Sequence, residues 1–179
     1  MTNEKKKIAI FSSADPKIAK EYRGLAKAIA HFLIDKGVII VTGGSLGLPG
    51  FIIEEFSKLG GETVMFSPDP DPHKHKLRFD NHDIDYYNHV VFGNGFTSRS
   101  LEMIKYVDAA VVLNGRTGTL CEFTIAVEEG LPVAVITNTG GISDHLSEII
   151  KIVNKEFPAS ILFGDSAEEQ LDKLLNDIT

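Results

Sequence analysis

Val111-Val112-Leu113-Asn114-Gly115-Arg116-Thr117-Gly118-Thr119-Leu120-Cys121-Glu122 is the stretch that decides the fold. It reads as a buried strand from Ala109 to Leu113, then a tight glycine loop, then a helix with a carboxylate near its start. Gly115 and Gly118 let the backbone turn sharply and come close to a ligand. The hydroxyls of Thr117 and Thr119 are placed to cap the helix. The first helical turn then offers N–H groups and the positive end of the helix dipole, which suit an anion such as phosphate. Glu122 follows one turn later and is expected to face the same crevice. Phosphate binding does not need a carboxylate there, so Glu122 points to a ribose hydroxyl or a water held beside the phosphate.

A second unit of the same form lies upstream. The β-branched run Val38-Ile39-Ile40-Val41-Thr42 leads into Gly43-Gly44-Ser45-Leu46-Gly47-Leu48-Pro49-Gly50 and then the apolar Phe51-Ile52-Ile53. Pro49 fits the first turn of a helix, where a missing N–H costs nothing. At the carboxyl ends of neighbouring strands, the two loops would line one crevice with backbone N–H groups.

The rest of the chain alternates in the same way. Lys7 to Ser12 reads as the first strand, and Asp15-Pro16 as the cap and first position of a helix running to about Lys36. Tyr22, Leu25, Ala26, Ile29, Phe32 and Leu33 recur at helical spacing along it, and Gly37 ends it. Further strands are read at Glu62 to Phe66, His89 to Phe92, Pro132 to Thr137 and Ser160 to Phe163. Helices are read through Arg99 to Val107, from the central loop to Gly130, from Gly140-Gly141-Ile142-Ser143 to about Lys155, and from Ser166 onward. The strands are continuous apolar runs, so both faces of the sheet are covered. This is a doubly wound, mostly parallel, Rossmann-like α/β sheet with helices on both faces, and residues 1–179 read as one nucleotide-binding domain.

Between Ser67 and Asn88 the periodicity breaks. Pro68, Pro70 and Pro72 alternate with Asp69 and Asp71, and His73, His75, His82, Asp83 and Asp85 follow. No pair among them has the ligand spacing of a zinc or calcium loop, so the segment reads as a solvated loop and no metal is expected. Its functional reading is a cover for the crevice or a wall of a base pocket. Cys121 reads as a small residue packed on the buried face of its helix. Arg99 falls in the first turn of its helix, where a cation opposes the dipole. Its two readings are a ligand contact and a surface pair with Glu102.

The net charge of −7, with no basic tract, argues against a protein that holds nucleic acid by neutralising its phosphates. A small nucleotide is not disfavoured, because backbone N–H groups can hold it. A single cysteine leaves no internal disulfide. The charged start Met1 to Lys7 precedes only a short apolar run that becomes a strand. Neither a signal peptide nor a membrane span is expected, and the cytoplasm is the expected location.

The first glycine motif, Gly43 to Gly50, resembles that of the LONELY GUY (LOG) family, long labelled lysine decarboxylase-like. The family's second motif, Pro-Gly-Gly-x-Gly-Thr-x-x-Glu, is matched by Asn114, Gly115, Arg116, Thr117, Gly118, Thr119, Leu120, Cys121 and Glu122. The family's Arg-Lys element is matched by Arg99 and Ser100, and Met103 and Asp108 also fall on the pattern.

The resemblance implies a Rossmann-like homodimer or higher homo-oligomer that acts as a phosphoribohydrolase on nucleoside 5′-monophosphates, and no cofactor is expected. Gly43, Gly44, Ser45, Gly47, Gly50, Gly115, Arg116, Thr117, Gly118 and Thr119 would then hold phosphate and ribose, with Arg99 and Glu122 as the catalytic pair. Asn114, Arg116 and Ser100 depart from the family pattern, with Arg116 placed to collide with a phosphate or to contact it. They suggest a divergent branch, and related branches include molybdenum-cofactor carrier-like proteins that bind without cleaving. A hydrolase and a carrier or sensor therefore both stand as readings. Lysine decarboxylation does not, since no lysine in the crevice motifs could hold pyridoxal phosphate.

Overall fold

Continuous apolar runs need cover on both faces, and the computed structural model, which describes residues 4–80 and 83–178, supplies it. Seven strands form one all-parallel sheet: β1 (Lys7–Ser12), β2 (Ile39–Thr42), β3 (Glu62–Ser67), β4 (His89–Phe92), β5 (Ala109–Leu113), β6 (Val133–Ile136) and β7 (Ile161–Gly164). Their order is β4-β3-β2-β1-β5-β6-β7. Among the described residues there are eight α-helices: α1 (Pro16–Glu21), α2 (Arg23–Asp35), α3 (Leu48–Lys58), α4 (Pro72–Arg78), α5 (Phe96–Tyr106), α6 (Thr117–Glu128), α7 (Leu146–Val153) and α8 (Ala167–Asp177).

Strand side chains alternate between two cores. Ala109, Val111 and Leu113 of β5 pack with α2, α3 and α8, while Ala110 and Val112 pack with α5, α6 and Leu146 of α7. Phe56 and Leu33 anchor the first core, and Phe123 and Met103 the second. Each is essentially inaccessible to solvent and contributes on the order of 2 kcal/mol by burial. This is the doubly wound arrangement expected from the sequence, with no antiparallel strand in the sheet. No helix among the described residues is long and apolar enough to cross a membrane.

Strand order sets where a ligand can sit. From β1 the chain moves outward through β2, β3 and β4, then returns to place β5 on the other side of β1. The connections leaving β1 and β5 therefore diverge, and their carboxyl ends leave an open crevice. The glycine loops do not follow neighbouring strands as expected, because β2 and β5 flank β1. The loop after β1, Ser12 to Pro16, lies between them.

Several local expectations are corrected. The first long helix is two, broken at Tyr22, whose φ of −97° and ψ of 23° leave the helical region. The apolar spacing continues unchanged across this one-residue bend, so periodicity does not register it. Residues Pro72–Arg78, expected as loop, form α4, capped by the Asp71 carboxylate on the Lys74 N–H. The helix expected from Gly140 begins as a 3-10 turn over Gly141–His145. Its N–H groups at Ile142 and Ser143 donate to the Gly115 and Asn114 carbonyls, so the next loop dictates its winding.

Cys121 is exposed rather than packed. The buried stripe of α6 runs through Thr119, Phe123, Ala126 and Val127, which turns position 121 to solvent. Neither Thr117 nor Thr119 caps α6: its cap position is Arg116, with no side-chain bond, and the Thr119 hydroxyl instead donates to the Ser12 carbonyl at 3.2 Å.

Gly47 shows how tightly the first loop is held. It has φ +82° and ψ −145°, and a Cβ there would overlap the backbone of Ser13 and Ala14. Gly47→Ala is expected to cost about 2 kcal/mol or more in urea unfolding, whereas Gly24→Ala, in α2 with open space around its Cβ, is expected to gain about 0.5 kcal/mol.

Candidate functional site

The crevice at the carboxyl ends of β1 and β5 has a volume of about 620 Å³. The loop after β1 forms one wall with Ser12, Ser13 and Asp15, and the start of α6 forms another with Arg116, Gly118 and Thr119. Arg99 and Glu122 reach it from α5 and α6, and Ser45 is contributed by the first glycine loop. Phe79, just after α4, and Phe96, the first residue of α5, complete the lining.

Arg99 and Glu122 meet there. Arg99 Nη2 lies 3.4 Å from Glu122 Oε1, and the two side chains are only 10% and 12% exposed. The expected alternative, a surface pairing of Arg99 with Glu102, is not formed. The first turn of α5 points Arg99 inward, so the pair forms across two helices that pack side by side. Burial pushes the Glu122 carboxyl above the ordinary glutamate range, against the pull of Arg99 and of the Ser100 hydroxyl. Ser100, in place of the family's lysine, sits with its Oγ 3.5 Å from Glu122 Oε1. The Arg99 Nε is buried and donates to no described atom, a cost of about 1–3 kcal/mol that functional sites tolerate.

Gly43 is the floor beneath this arginine. Any Cβ at position 43 would overlap the Arg99 guanidinium, so the glycine makes room for the ion pair. Gly44 similarly faces Met65 and His75, and Gly47 packs on the loop after β1. Leu48 donates its N–H to the Ser13 carbonyl and Pro49 has none to give. The first loop therefore presents only Ser45 to the crevice. Gly47 and Gly50 border a separate hollow of about 290 Å³ on the far side of Pro16, lined also by Phe51 and Tyr86.

The second loop is held differently. Asn114 adopts φ +52°, accepts from the Gly115 N–H at 2.7 Å through Oδ1, and donates from Nδ2 to the Thr139 carbonyl at 2.6 Å. Its own N–H donates to the Thr139 hydroxyl at 2.7 Å. The asparagine that departs from the family pattern thus ties this loop to the one after β6. It also occupies the Gly115 N–H. What remains toward the crevice is the uncapped start of α6, where Gly118 and Thr119 line the wall. Thr117 is exposed and lies off the lining.

Arg116 is exposed and reaches toward the loop after β1. Its guanidinium donates to the Asp15 carboxylate across the crevice mouth. The Lys17 N–H and Arg116 together hold that carboxyl below the ordinary aspartate range. Asp15 is also the cap of α1, as the sequence suggests.

The histidines and aspartates between Ser67 and Asn88 do not converge. His75 is buried with Nδ1 2.9 Å from the Ser67 hydroxyl, and Asp69 accepts from Arg78 Nε at 2.9 Å. No group of three His, Cys, Asp or Glu side chains among the described residues could hold a metal, and His82 lies outside them.

Sequence reasoning missed Ser12, Ser13, Phe79 and Phe96 as crevice residues. Strand order was the missing information for the first two. Phe96 carried a weak signal: a large apolar residue in the first turn of an otherwise polar helix start.

Comparison with solved structures gives the same architecture. The X-ray structure of TM1055 superposes with a TM-score of 0.81 at 23% identity, over 96% of this chain and 98% of that one. A molybdenum cofactor binding protein from the phototrophic bacterium Rippkaea orientalis gives 0.73 at 20% identity, over 99% of each chain. DNA processing protein A from Helicobacter pylori gives 0.61 at 19% identity, over 96% of this chain and 81% of that one. No curated protein matches by sequence. At these identities the likeness is one of fold. The model of the SLOG cluster4 family matches residues 5–170, nearly the full length, and the chain belongs to that LOG-like, Rossmann-type family.

Proposed function

We propose that the protein hydrolyses the N-glycosidic bond of a nucleoside 5′-monophosphate, giving free base and ribose 5-phosphate. The observation that carries this reading is the buried Arg99–Glu122 pair one turn inside an uncapped helix start. The phosphate sits against the N–H groups of Gly118 and Thr119, and Arg116 turns from Asp15 to the phosphate as a charge-assisted donor. Breaking the bond between C1′ and the base leaves positive charge on the ribose, which the Glu122 carboxylate faces. The same carboxylate takes a proton from the attacking water, and its raised affinity for protons makes it a stronger base than a free glutamate. The departing base carries off the bonding electrons, Arg99 stabilises that negative charge, and the proton held by Glu122 passes to the released base, which restores the carboxylate. One nucleotide and one water are consumed, and no cofactor or metal is used.

A second reading, binding without turnover, has its own observation. Glu122 is already partnered by Arg99 and Ser100, and the crevice wall at Phe79 and Phe96 supplies no acid to protonate a leaving base. The structural neighbour from Rippkaea orientalis is described as a molybdenum cofactor binding protein. The DNA processing protein A neighbour makes single-stranded DNA a further ligand to test, against which the net charge of −7 argues.

Incubating the protein with a panel of nucleoside 5′-monophosphates and separating the products by chromatography decides between these readings. Release of free base is expected from the parent, and a loss of at least about 100-fold from Glu122→Gln with nucleotide binding retained. Binding without release by the parent supports the carrier instead. If the enzyme reading holds, the acid limb of the rate profile lies above 4.5, the ordinary glutamate value, because activity falls as the buried carboxylate gains its proton. A limb at or below 4.5 would mean that Glu122 is not the group being titrated.

A further inference from the structure

Phe96 is anomalous on this surface. It is 51% exposed although it opens a helix whose inner face is well buried, and it is among the residues that line the crevice. Two guanidinium groups attend its ring, Arg78 at 5.3 Å and Arg99 at 5.9 Å from the centroid. Arg78 is itself held in place, its Nε donating to both oxygens of the buried Asp69 at 2.9 Å.

Phe79 shares the same wall and is also fixed from behind. Its ring packs on His75 at 4.7 Å between centroids, and His75 is bonded to Ser67 at the end of β3. The segment that joins β3 to β4 thus carries one aromatic ring to the crevice and sets one arginine over the Phe96 ring, both braced by buried polar side chains.

We infer that Phe79 and Phe96 form the subsite for the planar base of the ligand, and that this wall selects heteroaromatic nucleotides over simple sugar phosphates. This inference rests on the nucleotide reading of the same crevice. A base laid against the exposed part of Phe96 removes apolar surface from water and gains stacking, which is tolerant of base identity. The neighbouring guanidinium groups favour an electron-rich ring such as a purine. In that reading phosphate and ribose are held by α6 and Glu122 and not by the two rings, so the two subsites make separable contributions.

The test compares the binding of adenosine 5′-monophosphate and ribose 5-phosphate by calorimetry, in the Glu122→Gln background so that turnover does not consume the nucleotide. The unmodified wall is expected to bind the nucleotide at least about tenfold more tightly than the sugar phosphate. Adding Phe96→Ala is expected to remove most of that difference while changing ribose 5-phosphate affinity by less than about twofold. Phe79→Ala gives an independent second variant with the same expected split. Equal loss for both ligands would mean that the rings only support the fold. Unchanged nucleotide affinity would place the base elsewhere. Either result overturns the subsite and leaves the nucleotide reading standing. No binding of either ligand by the parent chain or by Glu122→Gln overturns both.

Discussion

Two opposite charges held out of water at the head of the sheet constrain everything around them. Arg99 and Glu122 are each about nine-tenths buried, at 3.4 Å. Removing either partner would leave a buried unpaired charge, which costs roughly 3–5 kcal/mol, whereas the intact pair adds little to stability over an apolar replacement. Such a pair is weakly explained by stability. It also imposes conditions on its neighbours: a side chain at residue 43 would displace the guanidinium from its place, and α5 and α6 must pack closely enough for the two side chains to meet. The pair and its surroundings are therefore one unit, and the unit lies where the strand order opens the sheet.

The departures from the LOG pattern fit this unit without breaking it. Asn114 uses its side chain and backbone to lock the loop after β5 against the loop after β6, a task that proline could not perform through hydrogen bonds. Ser100 brings a hydroxyl to Glu122 in place of a longer cation. Arg116, the change that most threatens a phosphate cradle, is turned outward to Asp15 and leaves the start of α6 open. The two glycine loops have also diverged in task. The first uses its glycines for close packing on Met65, His75 and the loop after β1, while the second presents a helix start.

Much of this was legible in the chain. The apolar runs at Ile8 to Phe11, Ile39 to Val41 and Ala109 to Leu113 announce buried parallel strands, because only a sheet covered on both faces tolerates them. The resemblance to the LOG motifs singles out Arg99 and Glu122 together, and the structure brings them into one crevice as an ion pair. What sequence could not convey is adjacency. Nothing in Ser12-Ser13-Ala14-Asp15-Pro16 says that β1 lies between the strands bearing the glycine loops. Helix α4 was hidden because prolines and aspartates are read as turn formers, although Asp71-Pro72 is equally a helix start. Cys121 was misplaced for want of the helical phase of α6, which Phe123 and Ala126 fix only once the packing face is known.

A crystal structure of the Glu122→Gln protein soaked with adenosine 5′-monophosphate tests the central claim most directly, that the ligand is held at the divergence of β1 and β5. The phosphate is predicted within hydrogen-bond distance of the Gly118 and Thr119 N–H groups, with Arg116 released from Asp15 and the ribose beside residue 122. Phosphate density at the start of α3 instead, with the Arg116–Asp15 contact intact, would contradict the account and return the ligand site to the first glycine loop.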